Sequence, residues 1–140
     1  METKSTINIW ENFNFKERVG KSAYDYLVEQ NNSFISKTRG VLKLEVESKN
    51  STDYQTMTYD LYVVSKSLGG YRKKIITVIE SDSINYFPVT VMSENLTDKV
   101  LSYVEEKDFL DKISELLLVS TIKRTIENLY QQSKENTKQS

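Results

Sequence analysis

The stretch Leu42-Lys43-Leu44-Glu45-Val46-Glu47 alternates apolar and charged side chains without a break. Successive side chains of a strand point to opposite faces, so a period of two predicts a half-buried strand. Leu42, Leu44 and Val46 then face a core, and Lys43, Glu45 and Glu47 face away from it. N-terminal to this stretch the period is helical. Phe15, Val19, Ala23, Tyr26 and Leu27 recur at 3.6-residue spacing, and Asn14 with Glu17 has the form of an N-cap and its box partner. A helix is expected over residues 14–30, ended by Asn31, Asn32 and Ser33, after a short lead-in over residues 1–12.

C-terminal to it, a polar loop over residues 48–56 leads to further strands at 57–66, 72–80 and 85–92. Gly69-Gly70 is a hairpin signal between the second and third strands. Ser81, Asp82 and Ser83 form a turn signal between the third and fourth. Pro88 within the fourth strand predicts that it lies at a sheet edge. Ser93 can cap a short helix carrying Leu96, Val100 and Val104. Asp108 can cap a long one reaching about residue 132, with Phe109, Ile113, Leu116, Leu117, Val119, Ile122, Ile126 and Leu129 on a wide apolar stripe. Residues 132–140 are polar and expected to fray.

Short connections between sequential strands predict an antiparallel meander in the order 1-2-3-4. The expected fold is therefore a two-layer α+β domain, with one helix before the sheet and two after it. At 140 residues the chain fits one domain, with a core at 13–131.

A two-residue turn at Gly69-Gly70 sets Val63 opposite Ile76 and Leu61 opposite Val78. A turn over 81–84 sets Val78 beside Phe87 and Ile76 beside Val89. Matching Val46 to Met57 sets Leu44 beside Tyr59. These choices place Leu42, Leu44, Val46, Met57, Tyr59, Leu61, Val63, Ile76, Val78, Phe87, Val89 and Val91 on one face. That is the expected core face, covered by the long C-terminal helix. The opposite face is charged on the first strand but carries Tyr62, Val64, Ile75, Ile79, Tyr86 and Pro88 on later strands. A fully solvated face does not need these apolar groups. Either the first helix or a partner is expected to cover them.

Composition removes several chemistries. There is no histidine and no cysteine, so a Ser-His-Asp triad, a thiolate nucleophile and a Cys/His zinc site are excluded. The 38% hydrophobic and 28% charged content reads as soluble and globular. The net charge of −1 supplies no field for a polyanion. No apolar run approaches the ~18 residues of a membrane span, and residues 1–10 do not have the form of a signal peptide. A cytoplasmic location is the expectation, and the sequons at Asn31, Asn50 and Asn95 then carry no glycan.

The sharpest catalytic reading uses carboxylates. A helix followed by an antiparallel meander loosely resembles the beginning of the restriction-endonuclease-like fold. That resemblance implies an acid on one strand and an acid-x-lysine on the next, which would hold Mg²⁺ and activate water. Asp60 with Glu80 and Asp82 is the nearest match. Asp82 stands where the lysine belongs, and the register puts Asp60 and Glu80 on opposite faces. Glu45, Glu47 and Lys49 have the right spelling but no acid on a preceding strand.

Tyr71, Arg72, Lys73 and Lys74 form the one dense basic run, a candidate for stacking and phosphate contact but also an ordinary solvated hairpin tip. Leu68-Gly69-Gly70 lacks the spacing of a phosphate loop. Glu105, Glu106, Asp108 and Asp111 suit a helix N-terminus better than Ca²⁺.

No cofactor or metal is called for. The sequence reads as a non-catalytic protein-binding module of the immunity, antitoxin, inhibitor or accessory-subunit type. Its expected contact surface is Tyr62, Val64, Ile75, Ile79 and Tyr86, with homodimerisation through that face or the long helix as a variant. The alternative is a divalent-metal-dependent, nuclease-like enzyme. A further possibility is a small-ligand pocket between sheet and helices.

Overall fold

The computed structural model describes residues 11, 20–50, 56–80, 86–93 and 102–139. Helix α1 spans Ala23–Lys37 and is followed by strands β1 (Lys43–Asn50), β2 (Met57–Ser65), β3 (Tyr71–Glu80), β4 (Val89–Ser93) and β5 (Ser102–Val104). A 3-10 turn over Glu106–Asp108 leads into α2 (Phe109–Leu117) and α3 (Ser120–Gln139). The five strands form one antiparallel sheet in sequence order. The α+β meander with an N-terminal helix and two C-terminal helices is as the sequence predicts, with β5 added.

Helix α1 begins later than its apolar spacing suggests. Gly20 has φ +102°, and Ser22 and Asp25 form a reciprocal capping box that starts the helix at Ala23. Asn14 and Glu17 lie outside the described residues. The helix also runs through Asn31, Asn32 and Ser33 to Lys37. Asn31 remains helical because its side chain has tertiary work: its Oδ1 accepts the Leu44 N–H at 2.8 Å. At the far end Gly40, with φ +78°, donates to the Ile35 carbonyl and ends the helix. The Thr38 hydroxyl donates to the Phe34 carbonyl and accepts the Leu42 N–H, joining the helix end to the strand entry.

The sheet keeps its expected faces but not its expected registers. Strand β1 continues through Ser48, Lys49 and Asn50, so Val46 pairs with Leu61 rather than Met57. The β2–β3 connection spans residues 66–70 rather than two glycines. Gly69 and Gly70, at φ +72° and +83°, make its left-handed corner. Ser65 therefore pairs with Tyr71, and a bulge between Leu61 and Tyr62 leaves Ile75 as the extra residue of β3. The β3–β4 pairing sets Val78 against Val91 and Glu80 against Val89. Outside the bulged end of the β2–β3 pair, the registers differ from expectation by an even number of residues. An even slip preserves sidedness, so every residue expected on the core face packs in or against one cluster.

Four further expectations are corrected. Strand β4 is internal, because β5 pairs with its other side, and Pro88 precedes it in a cis peptide with Phe87. The segment read as a helix through Val104 ends instead as β5. Residues 94–101 lie outside the described residues. The long C-terminal helix is two helices. After Leu117 the Val119 N–H bonds the Leu116 carbonyl, three residues back, and α3 restarts at Ser120. Finally, α3 continues through the tail expected to fray. Ser133 is fully buried there and its hydroxyl lies 2.5 Å from that of Ser65.

All three helices share one side of the sheet. Ala23 and Leu27 of α1, Phe109, Ile113 and Leu116 of α2, and Ile122 and Leu129 of α3 belong to the same cluster as Leu61, Ile76 and Val78. Tyr26, Phe87 and Phe109 join them in edge-to-face and tilted contacts at 5.4–6.0 Å. Helix α1 thus covers the core face, and not the second face that it was one candidate to cover.

Candidate functional site

Two surfaces are built well enough to be weighed: the second face of the sheet and a cleft on the helical side. The second face is held by charge. The Arg72 guanidinium stacks on the Tyr62 ring at 3.8 Å, donates to Glu47 at 3.1 Å and lies 3.7 Å from Glu45. Lys49 bridges Glu47 at 3.5 Å and Asp60 at 3.3 Å, while Lys43 lies 3.3 Å from Glu45. The Arg72 hydrogen bond holds the Glu47 carboxyl below its ordinary range. Hydrogen bonding to Asp60 and then its charge raise Lys49, and the Glu47 bond raises Arg72. Each strand contributes because residues two apart share a face, and the antiparallel register sets Glu45 against Tyr62 and Glu47 against Asp60.

This lattice occupies much of the surface that the sequence offered to a partner. Tyr62 is half-buried beneath Arg72. Val64 is buried. Ile75 does not belong to this face at all: the bulge turns it into the core, where it is 1% exposed. Ile79 and Tyr86 are half-buried. Of the basic run, Tyr71 is exposed, Arg72 is engaged by the two glutamates, Lys73 is half-buried and Lys74 lines the pit around Asp60.

The carboxylates of the metal reading lie apart. Asp60 is buried on the second face, accepting the Thr77 hydroxyl at 2.8 Å and facing Lys49. Glu80 is buried on the core face, accepting the Tyr59 hydroxyl at 3.1 Å. Asp82 lies outside the described residues. Among the described residues no three acidic groups converge as metal ligands. In the acidic stretch before α2, Glu106 accepts the Tyr26 hydroxyl at 2.7 Å, and this bond raises the Tyr26 pKa. Asp108 precedes α2 but makes no capping bond through its side chain.

The cleft lies between α1 on one side and α2 with the start of α3 on the other. Its volume is about 520 Å³, within the range of binding pockets. Leu27 and Phe34 of α1, Leu44 and Leu61 of the sheet, and Ile113, Leu117 and Ile126 of α2 and α3 form its walls. Gln30, Ser33, Lys37 and Ser114 supply its polar margin. The break between α2 and α3 lies at its edge, with Leu117 and Leu118 among the lining residues. On its lip Leu110 is 39% exposed and Leu118 is 65% exposed. Neither leucine was singled out by spacing. The available signal was the run Leu116-Leu117-Leu118-Val119, which has more apolar residues than one helix face can bury.

Scans against protein-family models, curated proteins and solved structures each return no match. Among the described residues no helix is long and apolar enough to cross a membrane.

Proposed function

We propose that the chain is a non-catalytic protein-binding module that receives apolar side chains of a partner protein in the cleft between α1 and α2–α3. One observation carries this reading: the mainly apolar lining of the cleft includes Leu110 and Leu118, which are 39% and 65% exposed. A small ligand is held by enclosure of most of its surface. A cleft that opens onto exposed leucines suits a broader surface, and each of these partly exposed leucines that a partner covers contributes about 1 kcal/mol of apolar burial. This reading favours the helical side over Tyr62, Ile79 and Tyr86, since the Tyr62 ring is already covered by Arg72.

The test is affinity capture from the native host with mass spectrometry, followed by titration of the purified candidate. Leu118→Asp should keep its thermal midpoint and lose at least tenfold in affinity. Tyr62→Asp should bind as the wild type does. Equal binding by Leu118→Asp, or loss with Tyr62→Asp alone, returns the site to the sheet face.

A further inference from the structure

Strand β1 is the edge of the sheet, and among the described residues no strand pairs with its outer side. Its outward backbone groups follow from the ladder. The Leu44 N–H points away from β2 and is taken by Asn31. Alternation along an antiparallel strand then turns Val46, Ser48 and Asn50 outward as well. Asn31 closes the edge at Leu44, and among the described residues no strand pairs with the remainder.

Helix α1 presents an apolar flank beside this opening. Tyr24, Val28 and Asn31 follow one another at helical i, i+4, i+7 spacing, so they form one stripe. Asn31 fixes that stripe to the edge side of β1. The helix runs antiparallel to the strand: Asn31 is level with Leu44, and Tyr24 meets Tyr59 at 5.7 Å, where Tyr59 pairs with Ser48. Tyr24 thus stands near the level of Ser48 and Val28 between them. Both are exposed, at 37% and 43%.

We infer that a second copy of this chain pairs with β1 through β1, antiparallel and centred on Ser48. Charge selects this register. A symmetric pairing centred on Glu47 would set Glu45 against Lys49 but also Glu47 against itself. One centred on Val46 would set Glu45 against Glu47 and Lys43 against Lys49. Centring on Ser48 sets Glu47 against Lys49 of the second copy, twice by symmetry, and Val46 against Asn50. Charged side chains ordinarily guard an edge against pairing. Of the three registers, only this one forms complementary pairs without a like-charge pair. The same dyad brings the two Tyr24–Val28 flanks together above the joined strands and makes one continuous sheet of the two copies. This surface is separate from the cleft, so the inference stands apart from the proposed partner site.

Sedimentation of the full chain over a range of concentrations tests it. The wild type is expected to approach twice its 16.3 kDa mass. Ser48→Pro removes an N–H that β2 does not use, so the fold should persist by circular dichroism while dimer affinity falls at least tenfold. Val28→Asp should do the same from the helix and remains decisive if the proline variant misfolds. Leu118→Asp should still dimerise. A wild type that stays monomeric at about 1 mM, where a millimolar complex would be well populated, overturns the inference. So does a dimer that survives both edge variants.

Discussion

Asn31 shows how one side chain can reverse a local reading. Asn, Asn and Ser in succession favour turns because their side chains compete for the backbone. Here Asn31 instead accepts the Leu44 N–H, and the helix continues for six residues beyond it to Lys37. Asn31→Ala is expected to cost about 1 kcal/mol, read as a lower urea midpoint. Glu47 is the corresponding case for charge. Its pKa is lowered in the fold by Arg72, so its contribution is present above the ordinary glutamate range and is lost as pH falls through the depressed value. Glu47→Gln should therefore be less stable than the wild type at pH 7. The difference should shrink on acidification below the ordinary glutamate pKa, as thermal melts across pH would show. The charges of Lys43, Glu45 and Glu47 were legible as the outward half of an alternating strand. The pairing of the two glutamates with Arg72 was not, because it depends on which residue of β3 the turn brings opposite β2.

At the level of elements, period carried most of the information. The alternation at Leu42, Leu44 and Val46 marks β1, and the spacing of Ala23 and Leu27 marks α1. Boundaries failed where hydrogen bonding outlasts hydrophobicity. Strand β1 continues through Ser48 and Lys49 because β2 still offers partners, although the apolar pattern has stopped. Helix α3 continues to Gln139 for a similar reason, since Ser133 is buried against Ser65 and Asn136 donates to the Ser67 carbonyl. Ending the chain at residue 132 should therefore not be silent, as a frayed tail would be. It leaves the buried Ser65 without its α3 partner and should destabilise by about 1–3 kcal/mol, measured by chemical unfolding. Strand β5 escaped because Val104 sits four residues after Val100, a helical interval. Its actual role is to satisfy the free side of β4.

For the whole molecule, pattern alone specified a sheet with one apolar face and the twelve residues on it. That result survived wrong registers because side-chain direction alternates, and an even slip leaves each residue on its own face. An odd slip does not. The bulge at Leu61 and Tyr62 adds one residue to β3 and carries Ile75 from the second face into the core, removing it from the expected contact surface. Which face α1 covers, where α2 and α3 separate, and the existence of the cleft were not encoded in any local period. They follow from competition among all three helices for one apolar face of limited area. The absence of histidine and cysteine was legible at once and excluded chemistry that needs them. The separation of Asp60 from Glu80 could be anticipated from strand parity alone. The enclosure of each, Asp60 by Lys49 and Thr77 and Glu80 by Tyr59, was decided by tertiary structure, because a carboxylate's partners come from strands distant in sequence. Sequence determined sidedness, since that is a property of each strand taken singly. Tertiary structure decided the surfaces, since those depend on which elements meet and which remain uncovered.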